Sequence, residues 1–353
     1  KDRAVKSQIY NLKAKSGNKE NSYKVGVIDL PSFYMDFEGR LAKKKNYRSS
    51  SRDMKKELSH LNKEGVDAII LDLRSNGGGA LDEAIEISGL FAGKGVVVQQ
   101  KGMSDKALEM SYNGDIHYSG PLILMIDRQS ASASEIIAGA IQDYERGVVV
   151  GQQTYGKGTV QNLYALDQYV RRNQDELGQL TLTIGKYYRV TGESTQNRGV
   201  IPDIELPSYI DIDNTGESSR DTALPWDKIK PSRYKKNKSM EDPINQLREL
   251  HTERRKTDPE LIFLLKDIEE SFLYRKQTTV SLNLNKRISE REEREERKEV
   301  IDNLRVKANN NDETQEESED RDINLNETAA IASDLVKLYY SDNKSNQMAK
   351  RVE

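Results

Sequence analysis

Short apolar runs alternate with longer stretches of helical spacing through the first two hundred residues. From Tyr23, Y-K-V-G-V-I-D-L reads as a strand that Pro31 ends. Residues 52–63 repeat apolar positions at helical spacing (Met54, Leu58, Leu61), and Gly65 closes the pattern. V-D-A-I-I-L-D-L, residues 66–73, reads as a strong buried strand, followed by R-S-N-G-G-G and a helical pattern over 81–92. A short strand at 96–98, a strand at 121–126, a helix at 132–145 and a strand at 148–150 come next. Strands alternating with helices of about a dozen residues predict βαβ units and a largely parallel sheet covered by helices. T-L-T-I-G-K-Y-Y-R-V (181–190) alternates as an edge or hairpin strand does, and G-V-I-P-D-I-E-L-P (199–207) reads as the last strand of the core. Residues 3–12 read as the last strand of something upstream, and the basic, serine-rich 41–51 as an exposed loop.

The pattern changes at Pro225-Trp226. Segments 240–275 and 284–308 keep helical periodicity but are dense in Arg, Lys and Glu. Residues 309–322, N-N-N-D-E-T-Q-E-E-S-E-D-R-D, have almost nothing to bury, which predicts disorder. An amphipathic helix returns at 327–340, with Ala330, Ile331, Leu335 and Leu338 on its apolar face. At 353 residues, two domains are expected: a globular core over 23–222 and a charge-rich helical region over 223–353, with 1–22 ending an upstream region.

Composition narrows the chemistry. The formal net charge of −3 argues against a dedicated nucleic-acid binder. The absence of cysteine excludes disulfides, thiol nucleophiles and thiolate metal sites. No apolar run approaches the roughly 20 residues of a membrane span. The chain opens on Lys1 without a signal peptide and reads as a piece of a longer protein.

The candidate chemistry lies between Asp127 and Gln161. Ser132 begins a helix, and S-x-x-E with Glu135 spells a capping box, which needs no function beyond the cap. The same placement suits a nucleophile, because a helix start offers N–H groups and a positive dipole end to a developing oxyanion. Ser130 and Ser134 compete for the role on sequence alone. Lys157 stands between glycines in Y-G-K-G-T, and no acid lies within seven residues on either side. Burial that lowers a lysine pKa lets it serve as a general base, so serine and lysine together spell a nucleophile pair. N-G-G-G (76–79) is at minimum a strand-to-helix turn, and its N–H groups can nest an anion at the carboxyl end of a parallel strand.

Other chemistries fit less well. G-Q-Q-T-Y-G-K-G-T (151–159) imitates a phosphate loop, but Gly158 stands where Ser or Thr holds magnesium, and a strand pattern follows instead of a helix. His60, His117 and His251 are scattered away from strand ends, which argues against a Ser/His/Asp triad, and no acid or histidine cluster has metal spacing. Asp143, three turns beyond Ser132 and about 16 Å away along one helix, reads as a brace for the lysine loop.

Taken together, D-R-Q-S-A-S-A-S-E, Q-D-Y, V-V-G-Q-Q-T-Y-G-K-G-T-V-Q, D-L-R-S-N-G-G-G-A-L, Y-Y-R-V-T-G-E-S-T-Q and G-V-I-P-D-I closely resemble the carboxyl-terminal processing proteases. The stretch from A-L-P-W-D (223–227) resembles the extra helical domain of their tail-specific subgroup. The resemblance implies a ClpP/crotonase-like superhelical βαβ core followed by that mainly helical domain. It implies Ser132, the middle serine of S-A-S-A-S and 25 residues before Lys157, as nucleophile. Lys157 is then the general base, Gln161 orients it, and the N–H groups of Gly78 and Ala133 form the oxyanion hole. Asp143 takes a supporting role. No cofactor and no metal are implied. The implied substrates are proteins or peptides with apolar C-termini, met in the bacterial periplasm in association with the inner membrane, with an adaptor lipoprotein as a partner. Family members carry a PDZ domain before the core, which binds substrate tails by strand addition; here only residues 3–12 are left as its last strand. The rival reading is a noncatalytic scaffold that binds partner proteins through the charged helical half.

Overall fold

The structure is a computed structural model and describes residues 4–16, 19–104, 106–169, 177–237, 240–309 and 322–349. Elements are numbered in chain order. Five apolar runs lie side by side and parallel: β2 (Lys19–Asp29), β3 (Ala68–Asp72), β6 (Leu122–Ile126), β7 (Val148–Gly151) and β10 (Ile204–Glu205). β1 (Lys6–Ser16) joins antiparallel outside β2, giving the order β1-β2-β3-β6-β7-β10. The expected parallel βαβ core is present. Residues 6–16, read from sequence as the end of an upstream region, instead run the length of β2 as its hairpin partner.

The central strands are apolar along their buried length (Ala68–Leu71 in β3, Leu122–Ile126 in β6, Val148–Val150 in β7) because both faces are covered. In β3, Ile69 and Leu71 point into one cluster with Met54, Leu58 and Leu61 of α2 (Ser50–Glu64) and with Ile87, Leu90 and Phe91 of α3 (Leu81–Ala92). Ile136, Ile137 and Ile141 of α4 (Ala133–Asp143) complete that layer. Ala68 and Ile70 point the other way, into a second cluster built by the C-terminal region. Ile331, Ala332, Leu335 and Val336 of α8 (Ile323–Ala349) and Leu247 of α5 (Glu241–Thr257) pack there against Val25, Val27, Ile123, Met125, Val148 and Val150. The helical region therefore packs on the sheet as its second cover.

Polar ties fix that cover. Buried His251 of α5 meets Glu327 of α8 at 2.7 Å, and Arg254 reaches Glu327 at 3.0 Å and Asp334 at 2.6 Å. Arg74, just after β3, pairs with both Asp72 and Asp322 at 2.6 Å, anchoring the start of α8 to the strand end. Asp322 is thus ordered, and Asn309 ends α7 (Leu284–Asn309); the rest of the stretch expected to be disordered lies outside the described residues. α7 packs on α6 (Pro259–Lys276), which meets α5 and α8.

One smaller difference concerns the rim. α1 (Phe37–Leu41), β4 (Gly95–Lys101), β5 (Leu108–Tyr112), β8 (Thr159–Ala165) and β9 (Gln179–Tyr188) complete the elements. The last four form an antiparallel sheet, β5-β4-β9-β8, with β5 and β8 at its edges and β9 as the expected hairpin strand, paired with β8. The serine end of the 41–51 loop is buried, because Ser50 Oγ and the Ser51 N–H both bond to Glu83 Oε2, at 2.9 and 2.5 Å.

Candidate active site

The carboxyl ends of β3, β6 and β7 deliver three loops to one place. After β6, Asp127 turns the chain: its Oδ1 accepts the N–H groups of Gln129 and Ser130, each at 2.9 Å. The turn leads to Ser132, the N-cap of α4, whose φ of 57° and ψ of −109° lie in a region that side chains avoid. Ser130 and Ser134, the competing serines, are both fully buried. Their hydroxyls are spent on carbonyls, Ser130 on Leu73 and Ser134 on Asn76, each at 2.8 Å. Ser132 alone of the three is partly exposed. The capping box expected from S-x-x-E is formed, and in it Glu135 Oε2 accepts the Ser132 N–H at 2.8 Å.

The loop after β7 carries Lys157. Every backbone N–H from Thr154 to Gly158 has an acceptor: Val200 and Ser130 carbonyls, Glu135 Oε1 and Oε2, and Gln196 Oε1 in turn. Glu135 is the centre of this pinning. Its Oε1 takes Thr154 Oγ1 and the Gly156 N–H, each at 2.6 Å, and its Oε2 takes the Lys157 N–H at 2.9 Å. The backbone nitrogens of Ser132 and Lys157 are thus no farther apart than the sum of their two distances to one oxygen. The Lys157 side chain is half-buried and makes no ion pair or hydrogen bond among the described residues. Sequence shows no acid near Lys157; space supplies a fully buried one, whose carboxyl burial pushes up to about 7 against its four hydrogen bonds.

The turn after β3 brings Gly78 against the serine. A Cβ on Gly78, at φ 105°, would stand 2.9 Å from the Ala131 carbonyl oxygen, 2.9 Å from Ser132 Cβ and 3.1 Å from the Ala133 nitrogen. Only glycine permits that approach. The Gly78 N–H donates to Asn76 Oδ1 at 2.9 Å, whereas the Ala133 N–H has no acceptor among the described residues.

Peptidase family S41 matches residues 24–206, and the C-terminal domain of tail specific protease matches residues 210–337. The tail-specific protease of Haemophilus influenzae is 38% identical over 334 residues, which cover 92% of this chain and 46% of that one. The chain belongs to peptidase family S41. The carboxyl-terminal-processing peptidase 2, chloroplastic, of Arabidopsis thaliana is 34% identical over 206 residues, 58% of this chain and 35% of that one. A solved photosystem II D1 C-terminal processing protease is 24% identical, with a TM-score of 0.46 over 59% of this chain and 50% of that one. The chain spans about half the length or less of the curated relatives it matches.

Within this S41 chain the remaining expected residues lie farther out. Gln161 sits on edge strand β8 beside a register shift at Val160/Gln161, exposed, and its side chain makes no hydrogen bond among the described residues. Asp143, at the end of α4, binds Arg189 rather than the lysine loop, at 2.5 Å to Nη2 and 3.0 Å to Nε. Arg189 follows β9, whose Tyr187 N–H bonds the Gly158 carbonyl at 2.7 Å, so Asp143 reaches the loop through one strand. Sequence reading missed Arg128, which is fully buried, gives Nη1 to the Thr154 carbonyl and reaches the Thr215 and Ile212 carbonyls at 2.6 and 3.1 Å. Its guanidinium fastens the 212–215 segment onto the lysine loop, and no local signal marks it beyond its place in D-R-Q-S.

Proposed function

We propose that this chain carries the catalytic unit of a serine endopeptidase in which Ser132 is the nucleophile and Lys157 the general base. The observation that carries the reading is the Glu135 carboxylate, which holds the backbones of Ser132 and Lys157 on a single oxygen. Neutral Lys157 Nζ takes the proton of Ser132 Oγ as that oxygen bonds to the peptide carbonyl carbon. The carbonyl oxygen, now negative, is held by the Ala133 N–H and, once Asn76 yields it, the Gly78 N–H. The proton on Nζ passes to the leaving amine, and water, deprotonated by the same lysine, releases the acyl group from Ser132. Gln161 and Asp143 support the reading from outside this centre, as the orienter of Lys157 and the brace of β9.

The proposed substrates are proteins and peptides with apolar C-termini, in the bacterial periplasm at the inner membrane, with an adaptor lipoprotein as partner. These rest on the resemblance of the motifs to the tail-specific subgroup. Among the described residues, no helix is long and apolar enough to cross a membrane.

The test is fluorophosphonate labelling and cleavage of an unfolded, apolar-tailed protein by the wild-type chain and by Ser132→Ala and Lys157→Ala. Labelling of Ser132 with cleavage lost in both variants establishes the pair. A chain that neither labels nor cleaves, even with a PDZ domain supplied, is a scaffold that binds partners through its charged helices.

A further inference from the structure

Asn76, the first residue of N-G-G-G, is fully buried and uses all four of its polar groups next to the nucleophile. Its backbone N–H bonds the Leu73 carbonyl at 3.2 Å, closing the turn. Its carbonyl oxygen accepts the Ala131 N–H at 3.0 Å and the Ser134 hydroxyl at 2.8 Å. Those two residues flank Ser132 and Ala133, so a single oxygen grips both ends of the segment that carries the strained serine. The side-chain amide points the other way along the turn: Oδ1 accepts the Gly78 N–H at 2.9 Å, and Nδ2 donates to the Leu30 carbonyl at 2.6 Å. A backbone N–H only donates and a carbonyl only accepts, so the orientation of this amide is fixed by its partners.

We infer that Asn76 is a positioning residue for the reaction proposed above: its amide sets the Gly78 N–H beside Ser132, and its carbonyl holds Ser132 in register with that donor. The inference rests on the Ser/Lys reading and adds to it the residue through which turn and nucleophile are made one unit. Asn76 touches no reacting atom. Its amide spans Leu30, at the end of β2, and Gly78, in the loop after β3, so the oxyanion donor is referred to two neighbouring strand ends. An incoming oxyanion takes the Gly78 N–H in competition with a neutral amide oxygen, which is the weaker acceptor of the two.

The chemistry of the amide gives a specific test. A protonated aspartic acid at this position keeps the acceptor for Gly78 and an O–H donor for Leu30. An ionised one sets a carboxylate oxygen against the Leu30 carbonyl and grips the Gly78 N–H with a charge. Initial rates and fluorophosphonate labelling of Ser132 are measured from pH 5 to 9 for wild type, Asn76→Ala and Asn76→Asp, with circular dichroism on each sample. The expected result is a 10- to 100-fold lower kcat at little-changed KM for Asn76→Ala, less than the roughly 100- to 1,000-fold for outright loss of an oxyanion-hole donor because the Gly78 N–H is still there. For Asn76→Asp, the rate relative to wild type is near one at low pH and falls at least tenfold as pH rises, while the Asn76→Ala ratio stays flat. A merely structural role moves folding but not that pH-dependent ratio. If Asn76→Ala fails to fold, the pH series on folded Asn76→Asp decides alone. If neither folds, Ser134→Ala, which removes one bond to the Asn76 carbonyl, must slow labelling several-fold. Active wild type with flat Asn76→Asp ratios, or with unslowed Ser134→Ala where neither Asn76 variant folds, overturns the Asn76 role and leaves the Ser/Lys pair standing. An inert wild-type chain overturns both.

Discussion

The backbone N–H groups of Ser132 and Lys157 donate to the same atom, Glu135 Oε2, at 2.8 and 2.9 Å. Two residues from loops after different strands are registered by one buried carboxylate rather than by contact between their own side chains. A change at Glu135 therefore acts on the geometry of the pair and not on its chemistry. Glu135→Gln presents an N–H₂ group to donors that already face it and loses at least one of the four bonds. The expected loss of Ser132 labelling and of kcat is about 100-fold, the effect of an ångström-scale misplacement. Wild-type rates in Glu135→Gln would remove the clamp from the mechanism.

Glu135 also gives the fold a pH dependence of known sign. Its folded pKa, raised by burial from 4.5 to about 7, exceeds its unfolded value. The native state therefore holds the proton more tightly, and this contribution to stability is fully present below pH 4.5 and is lost as pH rises through 7. Its ceiling is on the order of 3 kcal/mol. Urea midpoints for wild type should fall between pH 5 and pH 8 more steeply than those of Glu135→Gln, which has no proton to lose. Parallel curves for the two proteins would assign the slope to other groups.

The Asp143–Arg189 pair tests whether the far end of α4 matters to the site. The carboxylate side chain is 5% exposed and the guanidinium 18%. Asp143→Asn leaves a largely buried cation without its anion, a loss of about 3 kcal/mol, at the lower end for buried pairs because Arg189 keeps some solvent. Chemical unfolding measures it directly. Activity at temperatures where the variant is fully folded should fall by far less than in Lys157→Ala, since Asp143 reaches the lysine loop only through β9. An equal loss would place Asp143 in the chemistry.

What the sequence made legible was the parallel core, because runs such as 68–71 and 122–126 are apolar at every position and the intervening helices show their own period. A helix start at Ser132 and glycine turns around Lys157 and Gly78 also have local signatures, whereas the choice of Ser132 over Ser130 and Ser134 came only from the resemblance of the motifs. Glu135 was visible only as a cap: three of its four bonds go to residues 19 to 22 positions away, which no local pattern encodes. The Arg189 partner of Asp143 was hidden for the same reason, since it lies 46 residues on. The packing of the helical region on the sheet was hidden in another way. Composition shifts at Pro225 because much of α5–α7 faces solvent, yet the few apolar positions of α5 and α8 complete the sheet, and a change of average polarity hides them.

That second cover packs the C-terminal helices directly on the parallel sheet. Ile331, Ala332 and Val336 are at most 1% exposed and rest on Val25, Ala68, Ile70, Ile123 and Val148, each 0% exposed. A chain ending at residue 309 keeps Leu247 of α5 but uncovers the part of that face under α8, an apolar patch of the kind that soluble monomers do not present. Its expected fate is aggregation, with no cooperative unfolding transition. Ile331→Ala is the milder version, leaving a cavity that costs about 2–5 kcal/mol while the helix stays docked. Arg74→Ala loosens the same helix at its first turn by releasing Asp322, and the partly exposed pair is worth no more than about 1 kcal/mol. Ile331→Ala should therefore lower the denaturant midpoint more than Arg74→Ala, while the truncated chain gives no midpoint at all. A soluble, cooperatively folded 1–309 chain would show that the two regions are separable domains after all, and that α8 is a cover the sheet can do without.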